Sequence, residues 1–218
     1  MVGFCLVDLY VRSEVGRLET LSEAAKQAGL DAAVAVFDDP MEIPEERMWS
    51  ALEAGQHGAP LLKGLAFNLQ DCRFVLIGKS LDDSEFLGAL EALNEAEAVI
   101  KLAIESGCMA LPVCPRQRPS GETRRDDILP LFPRPVGVVT EVIGANFLGR
   151  DLEVEDAAVS GRKALGATGP FATQDDVGRY ATLLPVRHAS TESVIKAILE
   201  GRGVAVELSK TSSGIAKK

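Results

Sequence analysis

Short apolar stretches alternate with stretches of helical spacing along most of this chain, and this alternation constrains the fold more than any other feature. The first apolar stretch, 4–11, is almost free of polar residues, which is typical of a strand buried on both faces. An amphipathic helix is predicted over 18–30, and a second apolar strand over 32–37. Repeated strand–helix units favour a parallel sheet covered by helices.

The rest of the chain continues this pattern. The turn-like pair Gln70–Asp71 joins two of the strands, Asn94 is expected to break the longest helix, and 115–125 is predicted to be a loop. Residues 1–208 are therefore expected to form a single domain, followed by a flexible polar tail over 209–218. Further strands are predicted over 61–67, 73–77, 109–113, 136–142, 181–186 and 204–208, and further helices over 44–54, 84–106, 154–165 and 190–201.

Composition excludes several classes of protein. With 218 residues, of which 46% are hydrophobic and 25% charged, the chain resembles an average globular domain. It has no apolar run of the roughly 18 residues that a membrane span needs. The net charge of −9 withholds the electrostatic attraction on which most nucleic-acid binding depends, so nucleic acid is not expected as a partner. Four widely spaced cysteines and the lack of an export signal predict reduced thiols and a cytoplasmic location.

Three groups of residues carry a resemblance to a known family. They are the strand end Asp-Leu-Tyr-Val-Arg-Ser at 8–13, the strand end with two aspartates at 36–39, and the late segments 176–182 and 193–202. In order and spacing they resemble the PHP (polymerase and histidinol phosphatase) superfamily. The resemblance implies an α/β fold, a distorted TIM-like (β/α)7 barrel of the PHP type. It also implies a cluster of two or three metal ions that hydrolyses phosphoesters at the carboxyl ends of the strands.

The chain departs from the family at the positions that would bind metal. Where the family has two histidines in its first motif, this chain has a tyrosine and an arginine, and other ligands are replaced by alanine, cysteine or proline. The resemblance therefore implies that these positions are vestigial. They are Tyr10, Arg12, Asp39, Ala66, Cys114, Pro170 and Ala172.

The two histidines of the chain, His57 and His188, both lie outside the aligned ligand positions, so a histidine-rich cluster is excluded by counting. No cofactor is expected on this basis. A Mg²⁺ or Mn²⁺ site built from carboxylates stays open, because Mg²⁺ needs only one or two of them plus water. The acids nearest the predicted strand ends either form such a site or cap helices and pair with basic side chains. They are Asp8, Asp38, Asp39 and Glu141.

Arginines stand at or near the lost ligand positions. Arg12, Arg116 and Arg118 would line an anion-binding pocket if their guanidinium groups have replaced the metals. The competing interpretation is that Arg12 pairs with Asp38 or Asp39.

The leading functional hypothesis is an inactive PHP-like protein that acts as a protein-interaction or regulatory scaffold and has a protein partner. One alternative is a divergent metal-dependent phosphoesterase with carboxylate ligands. A second alternative is an RNA-associated barrel subunit of the ribonuclease P type, against which the acidic charge counts.

Overall fold

The structure is a computed structural model that describes residues 3–69, 72–113, 140–143, 165–168, 177–178, 180–200 and 202–208. The strands in these ranges are β1 (Cys5–Arg12), β2 (Ala32–Phe37), β3 (Leu61–Leu69), β4 (Cys72–Ile77), β5 (Met109–Val113), β6 (Thr140–Ile143), β7 (Leu165–Thr168), β8 (Tyr180–Leu184) and β9 (Val204–Glu207). The helices are α1 (Leu18–Gln27), α2 (Glu46–Glu53), α3 (Ser84–Glu91), α4 (Ala96–Glu105) and α5 (Thr191–Leu199).

Seven of these strands form one curled, mixed sheet in the order β5-β4-β3-β2-β1-β8-β9. The predicted parallel pairing is found between β1, β2 and β3, whereas β4, β5, β8 and β9 pair with their neighbours antiparallel. Only residues 70–71 separate β3 from β4, and a parallel crossover needs a dozen residues or more. This topology brings the carboxyl ends of β1, β2, β3, β5 and β9 to one edge of the sheet, called the carboxyl edge below.

The sheet is an open half-barrel, so the prediction of a (β/α)7 barrel is correct only in its general α/β architecture. Strands β6 and β7 pair with each other in a second, parallel sheet. Strand β6 lies near β5, and β7 lies near β8 and β9, but no ladder joins the two sheets within the described ranges. A closed barrel requires a continuous ladder around its whole circumference.

Apolar side chains cover both faces of the large sheet. Helix α5 packs on one face, called the α5 face, where Val194, Ala197 and Ile198 belong to an apolar core that also contains side chains of β1 to β5 and of β8. Helices α1 and α2 cover part of the opposite face, and α3 and α4 cover the rest, so this side is called the four-helix face. In the part of the chain that the structure describes, no helix is long and apolar enough to cross a membrane.

Local signals explain where several helices begin and end. Ser190 and Ser193 form a reciprocal capping box at the start of α5, and the Asp83 carboxylate accepts backbone hydrogen bonds at the start of α3. Gly29 adopts a φ of 78° just after α1, a conformation that glycine tolerates best. The predicted break near Asn94 is confirmed, since α3 and α4 are separate helices on either side of it.

Candidate functional site

The carboxyl edge brings four of the predicted ligand positions together. Tyr10 and Arg12 lie at the end of β1, Asp39 follows β2, and Ala66 lies in the second half of β3. Arg12 is opposite Val36 in the β1–β2 ladder, so the residues that follow β2 lie directly beside it. Adjacent parallel strands therefore bring Arg12 and the residues that follow β2 to the same edge of the sheet.

Arg12 forms an ion pair across the carboxyl edge. Its Nη2 atom lies 2.6 Å from Oδ2 of Asp38, and the two side chains are 69% and 37% exposed. The backbone N–H of Ser13 donates a hydrogen bond to the carbonyl of Val36 at 2.8 Å, which holds the end of β1 against β2. An exposed pair of this kind contributes no more than about 1 kcal/mol to stability. The main effect of the pair is local, because the guanidinium of Arg12 puts a positive charge directly beside the Asp38 carboxylate.

Two of the other three positions at this edge, Asp39 and Ala66, have simple structural roles. The Oδ1 atom of Asp39 accepts a hydrogen bond from the N–H of Met41 at 2.8 Å and caps a short 3₁₀ turn, Pro40–Glu42. Ala66 is buried in the α5-face core and offers only a methyl group. Among the described residues at this edge, the donor set therefore does not fit the metal cluster of the PHP family, which needs several imidazoles and carboxylates around each ion.

Asp8, one of the acids considered for a carboxylate metal site, lies on the opposite face of the sheet from Ala66. Its neighbours Val7 and Leu9 both belong to the α5-face core, so strand alternation places the buried Asp8 on the four-helix face. Its carboxylate accepts hydrogen bonds from the N–H of Tyr10 at 3.2 Å and from the N–H of Gly178 at 3.3 Å. These bonds tie a register shift in β1 to a distant turn.

Several predicted site residues lie outside the described residues, namely Cys114, Arg116, Arg118, Pro170 and Ala172. The backbone of Glu141 belongs to β6, but its side chain also lies outside the described part. Where the structure does place side chains, no group of three or more histidine, cysteine, aspartate or glutamate residues could hold a metal ion. The vestigial-ligand assignment and the arginine-lined pocket thus stay predictions.

The buried ammonium group of Lys63 and its polar partners form a charged cluster that the sequence analysis missed. This β3 residue is only 3% exposed, and its ammonium lies between α2 and the turn after β4. Its Nζ atom lies 3.1 Å from Oδ2 of Asp82, 3.6 Å from Oε2 of Glu46 and 3.4 Å from the carbonyl of Lys79. The same atom lies 5.8 Å from the centre of the Trp49 ring, which allows a cation–π contact. The available signal was a single lysine inside an otherwise apolar strand.

A cleft of about 560 Å³ opens at the opposite edge of the sheet, between the end of α2 and the start of α5. Across it, Nζ of Lys79 lies 2.5 Å from Oε1 of Glu192; this contact raises the pKa of Lys79 and lowers the pKa of Glu192. The hydroxyl of Thr191 donates to Oε1 of Glu53 at 2.8 Å. Cys5 also lines the cleft. Burial raises the pKa of its thiol, and the negative charge of Asp31 raises this pKa further. A thiol with a raised pKa is a poor nucleophile.

Comparison with known proteins shows what the fold is similar to. No family model and no curated protein matches the chain. The crystal structure of PsfC from Pseudomonas syringae PB-5123 matches with a TM-score of 0.65 at 16% identity, over 95% of this chain and 93% of PsfC. The crystal structure of the lesion-specific endonuclease PfuEndoQ from Pyrococcus furiosus matches with a TM-score of 0.61 at 15% identity, over 93% of this chain and 57% of the endonuclease. At these identities the likeness shows a shared fold and no more.

Proposed function

We propose that this protein is a PHP-like barrel protein without hydrolytic activity, and that it acts as a protein-interaction or regulatory scaffold. Membership of the PHP superfamily is part of this proposal. The observation that supports it best is the ion pair between Arg12 and Asp38 at the carboxyl edge.

A guanidinium group at this position works against metal binding in two ways. It offers five N–H donors and no lone pair, and it stays charged at any physiological pH, so Arg12 cannot replace a histidine ligand. It also occupies Asp38, the nearest carboxylate that could serve as one. Near a protein surface, two unit charges 4 Å apart interact by about 4 kcal/mol, so a divalent cation bound beside Arg12 would meet substantial repulsion.

The neighbouring positions support the same proposal. Asp39 is engaged as the cap of a turn, and Ala66 has no donor atom. Under this proposal the chain keeps the fold and has lost the metal-ligand residue types. Buried residues such as Asp8 still hold strands and turns together. This combination is what a barrel kept for its surface, without its chemistry, would show.

A divergent metal-dependent phosphoesterase is the second candidate. The fold likeness to an endonuclease favours it, and under this hypothesis Mg²⁺ or Mn²⁺ would bind through carboxylates such as Asp38 and Asp39. An RNA-associated role has weaker support, because the net charge of −9 opposes non-specific binding to phosphate backbones.

Phosphodiester turnover separates the two main candidates. The full chain is incubated with bis(p-nitrophenyl) phosphate and Mn²⁺ or Mg²⁺, beside Asp38→Asn, Asp39→Asn and the control Asp83→Asn, which alters a helix cap far from the carboxyl edge. We expect no turnover above the metal-only background in any of the four proteins. Metal-dependent turnover that Asp38→Asn or Asp39→Asn abolishes and Asp83→Asn preserves would overturn the proposal in favour of the phosphoesterase.

A further inference from the structure

A groove of about 300 Å³ lies between α1 and α2 on the outside of the four-helix face. Its lining includes the apolar residues Met48 and Ala51 and the acidic residues Glu19 and Glu45. The volume is at the lower limit for small-molecule sites, which begin at about 300 Å³. The groove therefore has room for one or two side chains and is too small for a large cofactor.

The charge of the groove favours a cationic occupant. In the described part of the chain, the Glu45 carboxylate has no ion pair or side-chain hydrogen bond, and Glu19 has only His57, with 3.7 Å between Oε1 and Nδ1. Arg47 also lines the groove, so with histidine neutral the walls carry two negative charges and one positive charge. The net charge of −9 on the whole chain adds to this local excess of negative charge.

The apolar lining of the groove adds a second requirement. Met48 is 37% exposed and contributes a flexible thioether to the same lining as the two carboxylates. An arginine side chain satisfies both conditions, because its three methylenes pack on apolar surface while its guanidinium binds carboxylates. Lysine carries a more strongly hydrated charge and forms no bidentate contact.

We infer that the α1–α2 groove binds an arginine side chain presented by a basic segment of a partner protein. Glu19 and Glu45 bind the guanidinium group, and Met48 and Ala51 pack against its methylenes. The inference rests on the proposed scaffold role, since it assigns a chemistry to the partner of that scaffold.

Methionine methyl NMR tests this inference on the full chain. The protein is labelled with ¹³C in its methionine methyl groups and titrated with an acetylated, amidated alanine–glutamine peptide that carries one central arginine. The control peptide has citrulline, which keeps the shape of arginine and removes its charge. We expect the arginine peptide to shift the Met48 methyl signal, while Met41, which is 88% exposed and outside the groove, serves as the internal reference.

Variants make the assignment specific. Glu45→Gln and Glu19→Gln should each weaken the peptide affinity about fivefold, the effect of losing roughly 1 kcal/mol of binding free energy. The matched control Glu85→Gln removes the same charge from an exposed position on α3 and should leave the affinity unchanged. Absence of a Met48 shift, equal shifts with citrulline, or equal weakening by the control would overturn the inference. The two experiments can fail separately. Absence of peptide binding would not change the result of the phosphodiester turnover assay. Metal-dependent turnover would remove the scaffold role but would not change how the Met48 signal responds to the peptide.

Discussion

Lys63 and Asp82 should respond very differently to substitution, although their side chains form one ion pair. The Lys63 side chain is 4% exposed, whereas those of its partners Asp82 and Glu46 are 40% and 77% exposed. Removing Asp82 leaves a charge buried, but removing Lys63 leaves two carboxylates that water can reach. The unpaired buried charge is the costly state.

The structure sets the size of the two effects. Asp82→Ala removes a 3.1 Å charged hydrogen bond, a type worth about 1.5–3 kcal/mol, but Glu46 and the Lys79 carbonyl still contact the ammonium. We therefore expect the free energy of unfolding to fall by about 1.5–2 kcal/mol. Lys63→Met keeps an unbranched side chain of similar length. It loses the contacts of the ammonium with Asp82, Glu46, the Lys79 carbonyl and Trp49, but it also removes the buried charge that needed them, so its effect should stay within about 1 kcal/mol.

Urea unfolding of the two single variants and the double variant measures this difference. Trp49 is the only tryptophan and is buried close to Lys63, so its fluorescence should be checked against far-ultraviolet circular dichroism. In the Lys63→Met background, Asp82→Ala should cost less than about 0.5 kcal/mol, because no buried charge is left to compensate. A larger loss from Lys63→Met than from Asp82→Ala, or strictly additive losses, would refute the reasoning.

Two further predictions concern a turn and an ion pair. Gly178 and Gly29 have nearly equal φ values of 75° and 78°, but an added Cβ would lie 2.4 Å from the Ala28 Cβ at Gly178 and would meet nothing within 4 Å at Gly29. Gly178→Ala should therefore destabilise the protein by about 1–3 kcal/mol more than Gly29→Ala in urea unfolding, and equal losses would contradict the packing argument. Glu192→Gln should cost less than about 1 kcal/mol near neutral pH, because Glu192 and Lys79 are largely exposed. The lowered pKa of Glu192 gives stability that is lost as the pH falls through its folded value, and the raised pKa of Lys79 gives stability that is lost as the pH rises through its own. The difference between wild type and Glu192→Gln should thus shrink as the pH falls and vanish below the lowered pKa of Glu192, and a difference that does not change with pH would contradict this assignment.

The elements with strong local signals could be predicted from the sequence. Strand β2 has the predicted bounds, and the break near Asn94 separates α3 from α4. Apolar runs and helical spacing are local properties, so they are read correctly without knowledge of the rest of the chain. Local patterns specify helix ends less well, and α1 ends at Gln27 instead of the predicted Leu30.

Strand direction is not a local property, and there the sequence was less informative. Alternating strands and helices predict a parallel sheet, but β4 and β5 are antiparallel to their neighbours. The short connection at Gln70–Asp71 was the one signal for this hairpin, since it is too short for a crossover.

The candidate site was predictable only where adjacent strands create it. Arg12 and Asp38 end two neighbouring parallel strands, so their contact follows from the register. The position of Asp8 depends on strand alternation next to a register shift, and the partners of Lys63 come from elements that are distant in sequence. No spacing rule in a single sequence predicts such contacts.

Metal content of the purified full chain tests the central claim most directly. Wild type and Asp38→Asn are incubated with Zn²⁺, Mn²⁺ and Mg²⁺, desalted, and measured by elemental analysis. If the Arg12–Asp38 pair has replaced a metal site, both proteins should retain no stoichiometric metal. One or more equivalents held by wild type and lost in Asp38→Asn would show a working carboxylate site and contradict the proposed loss of hydrolytic function.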